Sequence, residues 1–308
     1  MMRKSVMLAV LLLQSGGLPV ASTVTPVRLF DLAGYSEGIV FDSSGTAYVS
    51  LLHRDVVLRI RPGAAPETWV KLDGPNGHKI LPDGTHIIAA KYGVFHVDAS
   101  GKVIDTLATR FNGKRLKGPN DLAVDGFGGF YFTDPADADA DQAAHLGQVY
   151  YVDARRHLSL AATGLCYANG LIVRADGRVL YVDDSCTSRV YAFDIVGPGR
   201  LARRRTFAAL PDSGTGALDG MTADANGNLF IAHYGVGRVE VLDATGHLVR
   251  RYATRDSLSS NVAFTGPNLD QLYVTGAVGA ETGPGVLMKL SLVGVRGRSS
   301  RAQPSKWP

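Results

Sequence analysis

One layout of apolar and polar positions recurs six times along the chain. An acidic or amide residue, usually followed by a small one, opens a short apolar stretch; a turn built on Asp or Asn and usually Gly follows, then a second apolar stretch. The six copies begin at Glu37 (EGIVFDSSGTAYVS), Asn76 (NGHKILPDGTHIIAAK), Asn120 (NDLAVDGFGGFYFTD), Asn169 (NGLIVRADGRVLYVDD), Asp219 (DGMTADANGNLFIAH) and Asn261 (NVAFTGPNLDQLYVTG), and successive starts lie 39 to 50 residues apart. Short runs rich in Val, Ile, Tyr and Phe between Gly- and Asp-containing turns read as strands, not helices. Strand-like runs such as GQVYYVD (147–153), SRVYAFD (188–194) and GRVEVLD (237–243) follow the hairpins, so each repeat supplies three or four strands. Four short strands in roughly 40–50 residues is the unit of a propeller blade. The pattern therefore predicts an all-β chain, a six-bladed β-propeller over 23–294.

The last repeat reaches only its third strand at GVLMKLSLVG (285–294), while TPVRLFDLA (25–33) precedes the first repeat unclaimed. The N-terminal strand is expected to complete the last blade and remove the free edge of the ring. Residues 295–308 (VRGRSSRAQPSKWP) read as a basic disordered tail. At the other end, Arg3 and Lys4 precede an apolar run, Val6 to Leu13, too short to cross a bilayer but suited to the core of a signal peptide. Residues 1–22 are expected to be that peptide, with the mature chain starting at Thr23; an uncleaved N-terminal helix is the alternative. The protein is expected to be exported, periplasmic or secreted, without a membrane anchor.

Composition narrows the classes further. Charged residues make up only 19% of the chain and Gly numbers 36, which excludes a coiled coil or a disordered polymer. The net charge of +4 arises largely from the two ends, so the body offers no basic face for nucleic acid. Two cysteines provide neither a disulfide framework nor a zinc pattern. Counting across the fourth hairpin puts Cys166 near Cys186, which leaves a disulfide and two reduced thiols both open.

In a propeller the first strand of each blade lines the central channel, so Glu37, Asn76, Asn120, Asn169, Asp219 and Asn261 are expected to converge at its mouth. Asn and Asp also favour strand-entry turns, which accounts for the amides but not for Glu37. Two carboxylates among amides in a narrow channel repel unless a cation neutralises them. An all-oxygen donor set suits one divalent ion, with Ca²⁺ favoured over Mg²⁺. Counting about the hairpin turns places Lys91, Asp134, Asp184 and His233 on the second strands beside this site, with Asp134 opposite Asn120, Asp184 opposite Asn169 and His233 opposite Asp219.

These segments resemble the senescence marker protein / gluconolactonase / luciferin-regenerating enzyme family, relatives of the paraoxonase and diisopropyl-fluorophosphatase propellers. The resemblance spans about residues 35 to 294 and is carried by SEGIVFD, GPNGHKILPDGTH, RFNGKRLKGPNDLAVD with YFTDP, YANGLIVRADGRVLYVDDS, LDGMTADANGNLFIAHYG and NVAFTGPNLDQLYVT. It implies a divalent ion bound by Glu37, Asn169 and Asp219, with Asn120 as a further ligand or substrate contact, and calcium-dependent hydrolysis of a lactone. Sugar-lactone members of the animal type carry Arg two residues before the position of Asn120. Here that residue is Gly118, and Lys114, Arg115 and Lys117 in the same loop are the expected substitutes.

A bound ion would polarise the lactone carbonyl and stabilise the developing oxyanion, which usually contributes most to catalysis of this kind. Asp219 and His233 are the candidate bases, with His78 ranked below them. Residues 135–146 form either a lid or a plain surface loop. The expected partner is a small-molecule lactone, and the chain is expected to be a monomer. A non-catalytic exported binding module with a structural ion, or an aryl-ester or phosphotriester hydrolase, are the alternatives.

Overall fold

A computed structural model describes residues 20–21, 24–135, 143–211, 216–255 and 258–299. Most of the expected signal peptide, the centre of the 135–146 loop and residues 300–308 lie outside it. The chain is all-β: apart from two single-turn 3₁₀ segments, its named elements are strands.

Four sheets have four antiparallel strands each, in chain order. They start at Ser36–Phe41, Pro75–Ile80, Leu122–Val124 and Ala168–Val173, and the second runs from Pro75–Ile80 through His86–Ala90 and Gly93–Val97 to Val103–Ala108. Two further groups of four share one larger sheet. One is Ala217–Ala223, Leu229–Tyr234, Arg238–Leu242 and Leu248–Ala253; the other is Leu258–Thr265, Gln271–Ala277, Gly285–Ser291 and, from the other end of the chain, Val27–Leu32. Val27–Leu32 pairs antiparallel with the Gly285–Ser291 strand, from Val27 opposite Lys289 to Leu32 opposite Gly285. Val20–Ala21, inside the expected signal peptide, lies parallel to Arg250–Arg251.

Burial explains why these strands form. Ser36–Phe41 is buried at every position and Ala168–Val173 at all but one, so neither alternates, whereas Val103–Ala108 at an outer edge is largely exposed. Six large apolar clusters hold the groups together, each between consecutive groups of strands. One packs Val40, Tyr48 and Val57 of the first sheet on Ile80, Ile88 and Val97 of the second. Another returns from the last group to the first, setting Ala263 and Leu287 against Ile39 and Val49. The hairpin turns repeat as well. In six of them an Asp, such as Asp42, Asp125 or Asp224, accepts the backbone N–H groups two and four residues on.

The C-terminal segment departs from expectation. Residues 295–299 are bound, not loose: Ala225 N donates to Arg296 O at 2.7 Å, Gly297 N to Leu269 O at 2.7 Å and Arg298 N to Ala223 O at 2.8 Å. Val295 packs on an apolar cluster, and the Arg-rich composition that suggested solvation hides this backbone pairing.

Candidate functional site

The first strands carry the site, and five of the six are bulged at one place, the regular Leu122–Val124 strand after Asn120 being the exception. Ser36 pairs with Leu51 and Ile39 with Val49, so Glu37 and Gly38 together face Ser50. The same slip occurs at Asn76–Gly77, Asn169–Gly170 and Asp219–Gly220. A bulge re-aims a side chain and leaves its neighbour without room. Here the first residue of each pair reaches a cavity of about 490 Å³, lined by Glu37, Asn76, Asn120, Asn169 and Asp219. The second is Gly because a Cβ on Gly38 would lie 2.2 Å from Asn76 O, and one on Gly170 would lie 2.4 Å from Asp219 O.

Glu37 and Asp219 are both buried, and among the described residues neither has a cationic side chain paired with it. Burial pushes the Glu37 carboxyl well above the usual carboxylate range, and the charge of Asp219 adds to the shift, while a hydrogen bond from Tyr35 opposes it. Asp219 is raised by burial first and by Asp121 second; Gly220 N donates to its Oδ1 at 3.0 Å, and the Asn169 amide also donates to it. That amide donates to Ser185 Oγ at 3.2 Å as well, which leaves Asn169 Oδ1 buried without a donor. Two repelling carboxylates beside an orphaned amide oxygen make the donor set that a hard divalent cation fits. The residues therefore suit the ion expected from the sequence. A second group, Cys166, Cys186 and Asp184, has its ligand atoms within 4.8 Å of one another but does not suit a metal. Its sulfurs form a disulfide, with Cα atoms 5.9 Å apart, and the Asp184 oxygens accept from Cys166 N and Tyr167 N.

The bulges also move the expected second-strand residues by one place. Asp184 pairs with Ala168, not Asn169, and His233 with Leu218, not Asp219. Asp134 likewise faces no cavity: its carboxylate takes the N–H groups of Lys117 and Gly118, as Asp184 does for the fourth repeat, and so fixes the loop leading to Asn120. His233 is fully buried, with Nδ1 2.9 Å from Glu240 Oε1, and does not line the cavity. Lys91 is exposed beside Tyr92. Lys114 and Arg115 form one arm of an exposed ribbon with Arg110–Phe111 and do not reach the cavity. In the sixth repeat the bulge holds Ser260 and Asn261, so Asn261 takes the glycine position and packs on Gly220 instead of entering the site. His78 is buried in the second sheet, 2.7 Å from His86.

Three lining residues carry no signal in the repeat pattern. Tyr35 precedes the first copy, Tyr234 closes a second strand and Glu281 lies in a loop. Tyr234 donates to Glu281 Oε1 at 2.8 Å, and Tyr35 stands edge-on to Tyr234 with ring centroids 6.4 Å apart. A further buried acid, Asp183, lies close to Asp219: it accepts from Gly170 N at 3.1 Å, and its Oδ2 has no partner.

The SMP-30/Gluconolactonase/LRE-like family model matches residues 35–278, which takes in every residue of the cavity's donor set. The chain belongs to this family. It is 27% identical to diisopropyl-fluorophosphatase from Loligo vulgaris over 242 residues, 70% of this chain and 77% of that protein. It is also 27% identical to a lactonase from Staphylococcus epidermidis, over 72% of this chain and 70% of the relative. Among solved structures, a gluconolactonase from Xanthomonas campestris superposes with a TM-score of 0.73 at 28% identity, covering 87% of this chain and 89% of that one. The bulged Glu37, Asn169 and Asp219 are thus a feature of a family member, not of an isolated all-β chain.

Proposed function

We propose that this chain is an exported lactone hydrolase, gluconolactonase-like, built as a six-bladed β-propeller that the Val27–Leu32 strand closes, with one Ca²⁺ held at the cavity mouth. The observation that carries the reading is the pairing of buried Glu37 and Asp219 with the donorless Asn169 Oδ1. Relatives named as lactonases support the reaction class. The Cys166–Cys186 disulfide supports an oxidising compartment.

Glu37, Asp219 and Asn169 would hold the ion, with Asn120 completing the set. Bound there, the ion would supply Lewis-acid polarisation of the lactone carbonyl. The chain's own residues do the rest. Tyr35 holds Glu37, Ser185 fixes the Asn169 amide so that its oxygen faces inward, and Gly220 N pins one oxygen of Asp219. Asp219 is the base we assign to take a proton from the attacking water, as a buried carboxylate of the donor set that lines the cavity. His233 is fully buried against Glu240, outside the cavity lining, and is not assigned that work.

The test is a pH-stat assay against sugar, aliphatic and aromatic lactones with Ca²⁺, after EDTA, and with Asp219→Asn. Turnover that is lost on chelation, restored by Ca²⁺ and absent in the variant supports the assignment. A folded protein that binds Ca²⁺ and opens no lactone overturns it. The likeness to diisopropyl-fluorophosphatase favours organophosphate hydrolysis as the second reading, and a fluorophosphate and a phosphotriester in the same panel decide between them.

A further inference from the structure

The far ends of the first strands, beneath the hairpin turns, enclose a separate cavity of about 460 Å³. Five of the six first strands give it an apolar wall, through Ile39, Ala123, Leu171, Met221 and Val262. The sixth contributes Lys79, which is committed to Asp121 Oδ1 at 3.3 Å. One side is built by the C-terminal segment that binds Ala223, Ala225 and Leu269, and this brings Arg296 and Arg298 to the cavity.

These two guanidinium groups differ from the other cations nearby. Arg174 also lines the cavity but is held by Asp176 at 3.0 and 2.7 Å. Asp125, the acid in the lining, already accepts from Phe127 N, Gly129 N and the Tyr151 hydroxyl. Among the described residues no carboxylate forms an ion pair with Arg296 or Arg298, and the Arg298 side chain donates to Val173 O at 3.4 Å. Burial pushes the Arg298 pKa down, and the charge of Asp176, whose carboxylate is engaged by Arg174, opposes this only in part. A guanidinium presents five donors in a fork that matches a carboxylate, and cavities of roughly 300–1,000 Å³ take small molecules.

We propose that this cavity binds a small amphipathic carboxylate, with its acid group on Arg298 and Arg296 and its alkyl body on the apolar wall formed by Leu171, Met221 and Val262. Phosphate would satisfy the guanidinium groups but leave the apolar wall uncovered. The site is independent of the Glu37–Asp219 cavity and does not rest on the reaction assigned there.

Isothermal titration of the full chain, treated with EDTA, with acetate, butanoate, hexanoate and inorganic phosphate tests this. Hexanoate is expected to bind in the millimolar range or tighter. Affinity should rise by about threefold to fourfold for each CH₂ buried. Arg298→Gln should weaken hexanoate at least tenfold and Arg298→Lys less. Arg296→Gln gives a second reading should Arg298→Gln lower the melting temperature, and Asp219→Asn should leave the binding unchanged. No hexanoate binding, affinity independent of chain length, phosphate binding as tightly as hexanoate, indifference to both arginine variants, or loss of binding in Asp219→Asn would each overturn the proposal.

Discussion

The backbone N–H of Gly77 donates to Asn120 O at 2.7 Å, and a Cβ on Gly77 would lie 2.6 Å from that same oxygen. Neighbouring repeats thus meet backbone to backbone around the centre, and the glycine is needed for space. Its φ is not in the left-handed region, so conformational freedom is not the reason. Gly77→Ala has to push the Asn120 strand away, and overpacking of this kind costs about 1–3 kcal/mol. We expect a lower urea midpoint and, because Asn120 lines the site, weaker Ca²⁺ binding. A midpoint equal to the parent's would show that the repeats slide apart without cost.

The six repeats were legible because a strand–turn–strand unit leaves two independent marks, the apolar runs and the Asp-containing turn. The site was legible in part. Glu37, Asn120, Asn169 and Asp219 reach the cavity as the opening residues of their repeats. The hairpin count failed by one residue at Asp184 and His233 because it assumed regular pairing, and a bulge inserts a residue without altering the apolar pattern. Asn261 was misplaced for the same reason, since Ser260 is the residue equivalent to Glu37. Tyr35, Tyr234 and Glu281 belong to no repeated position, so only the folded chain brings them together.

Asp183 occupies a position that three other repeats fill with a hydroxyl, Ser50, Thr133 and Thr275, and two with Ala, Ala89 and Ala232. Ser50 Oγ donates to Asn76 O at 2.7 Å and Thr133 Oγ1 to Asn169 O at 2.8 Å, each tying its sheet to the next. Asp183 instead adds a third buried acid near Asp219 and Asp121; burial first and those charges second hold its carboxyl well above the ordinary range. Asp183→Thr should restore the hydroxyl tie and relieve repulsion. The expected outcome is a higher melting temperature in EDTA together with weaker Ca²⁺ binding, because charge that favours the cation has been removed. A variant less stable than the parent in EDTA would sink this account.

His78 Nε2 and His86 Nδ1 lie 2.7 Å apart within a cage that includes Trp69 and Tyr48. Burial lowers both pKa values, His86 to about 4; the His86 ring and Lys79 lower His78 further, while Asp42 and Asp83 oppose the shift at His86 and His96 adds to it. Both are neutral when folded and take protons more readily when unfolded. Their contribution is therefore intact above the unfolded pKa near 6.5 and is lost as pH falls toward 4. Each pKa unit of depression corresponds to about 1.4 kcal/mol. Urea midpoints should fall between pH 7 and pH 4.5, and the fall should be smaller in His86→Phe. An equal fall in the variant would place the acid sensitivity elsewhere.

The disulfide joins Cys166 to Cys186 across 20 residues beside the cavity, which Cys186 lines. Closing a loop of that length stabilises by roughly 3 kcal/mol through the unfolded chain. The neighbouring Ser185 donates to Leu218 O at 2.6 Å and receives the Asn169 amide, so the bridge also anchors the residue that orients one member of the donor set. The double variant Cys166→Ala, Cys186→Ala should melt roughly 5–10 °C lower. If the bridge merely staples the chain, Ca²⁺ affinity measured well below the melting temperature will be unchanged. If it holds Ser185 in place, affinity will fall severalfold at the same temperature, and Ser185→Ala in the disulfide-bonded protein will reproduce that loss without the drop in melting temperature. We expect the second result, because the Asn169 amide is held in the cavity by that one hydroxyl and by Asp219, whose own charge a bound ion would also have to satisfy.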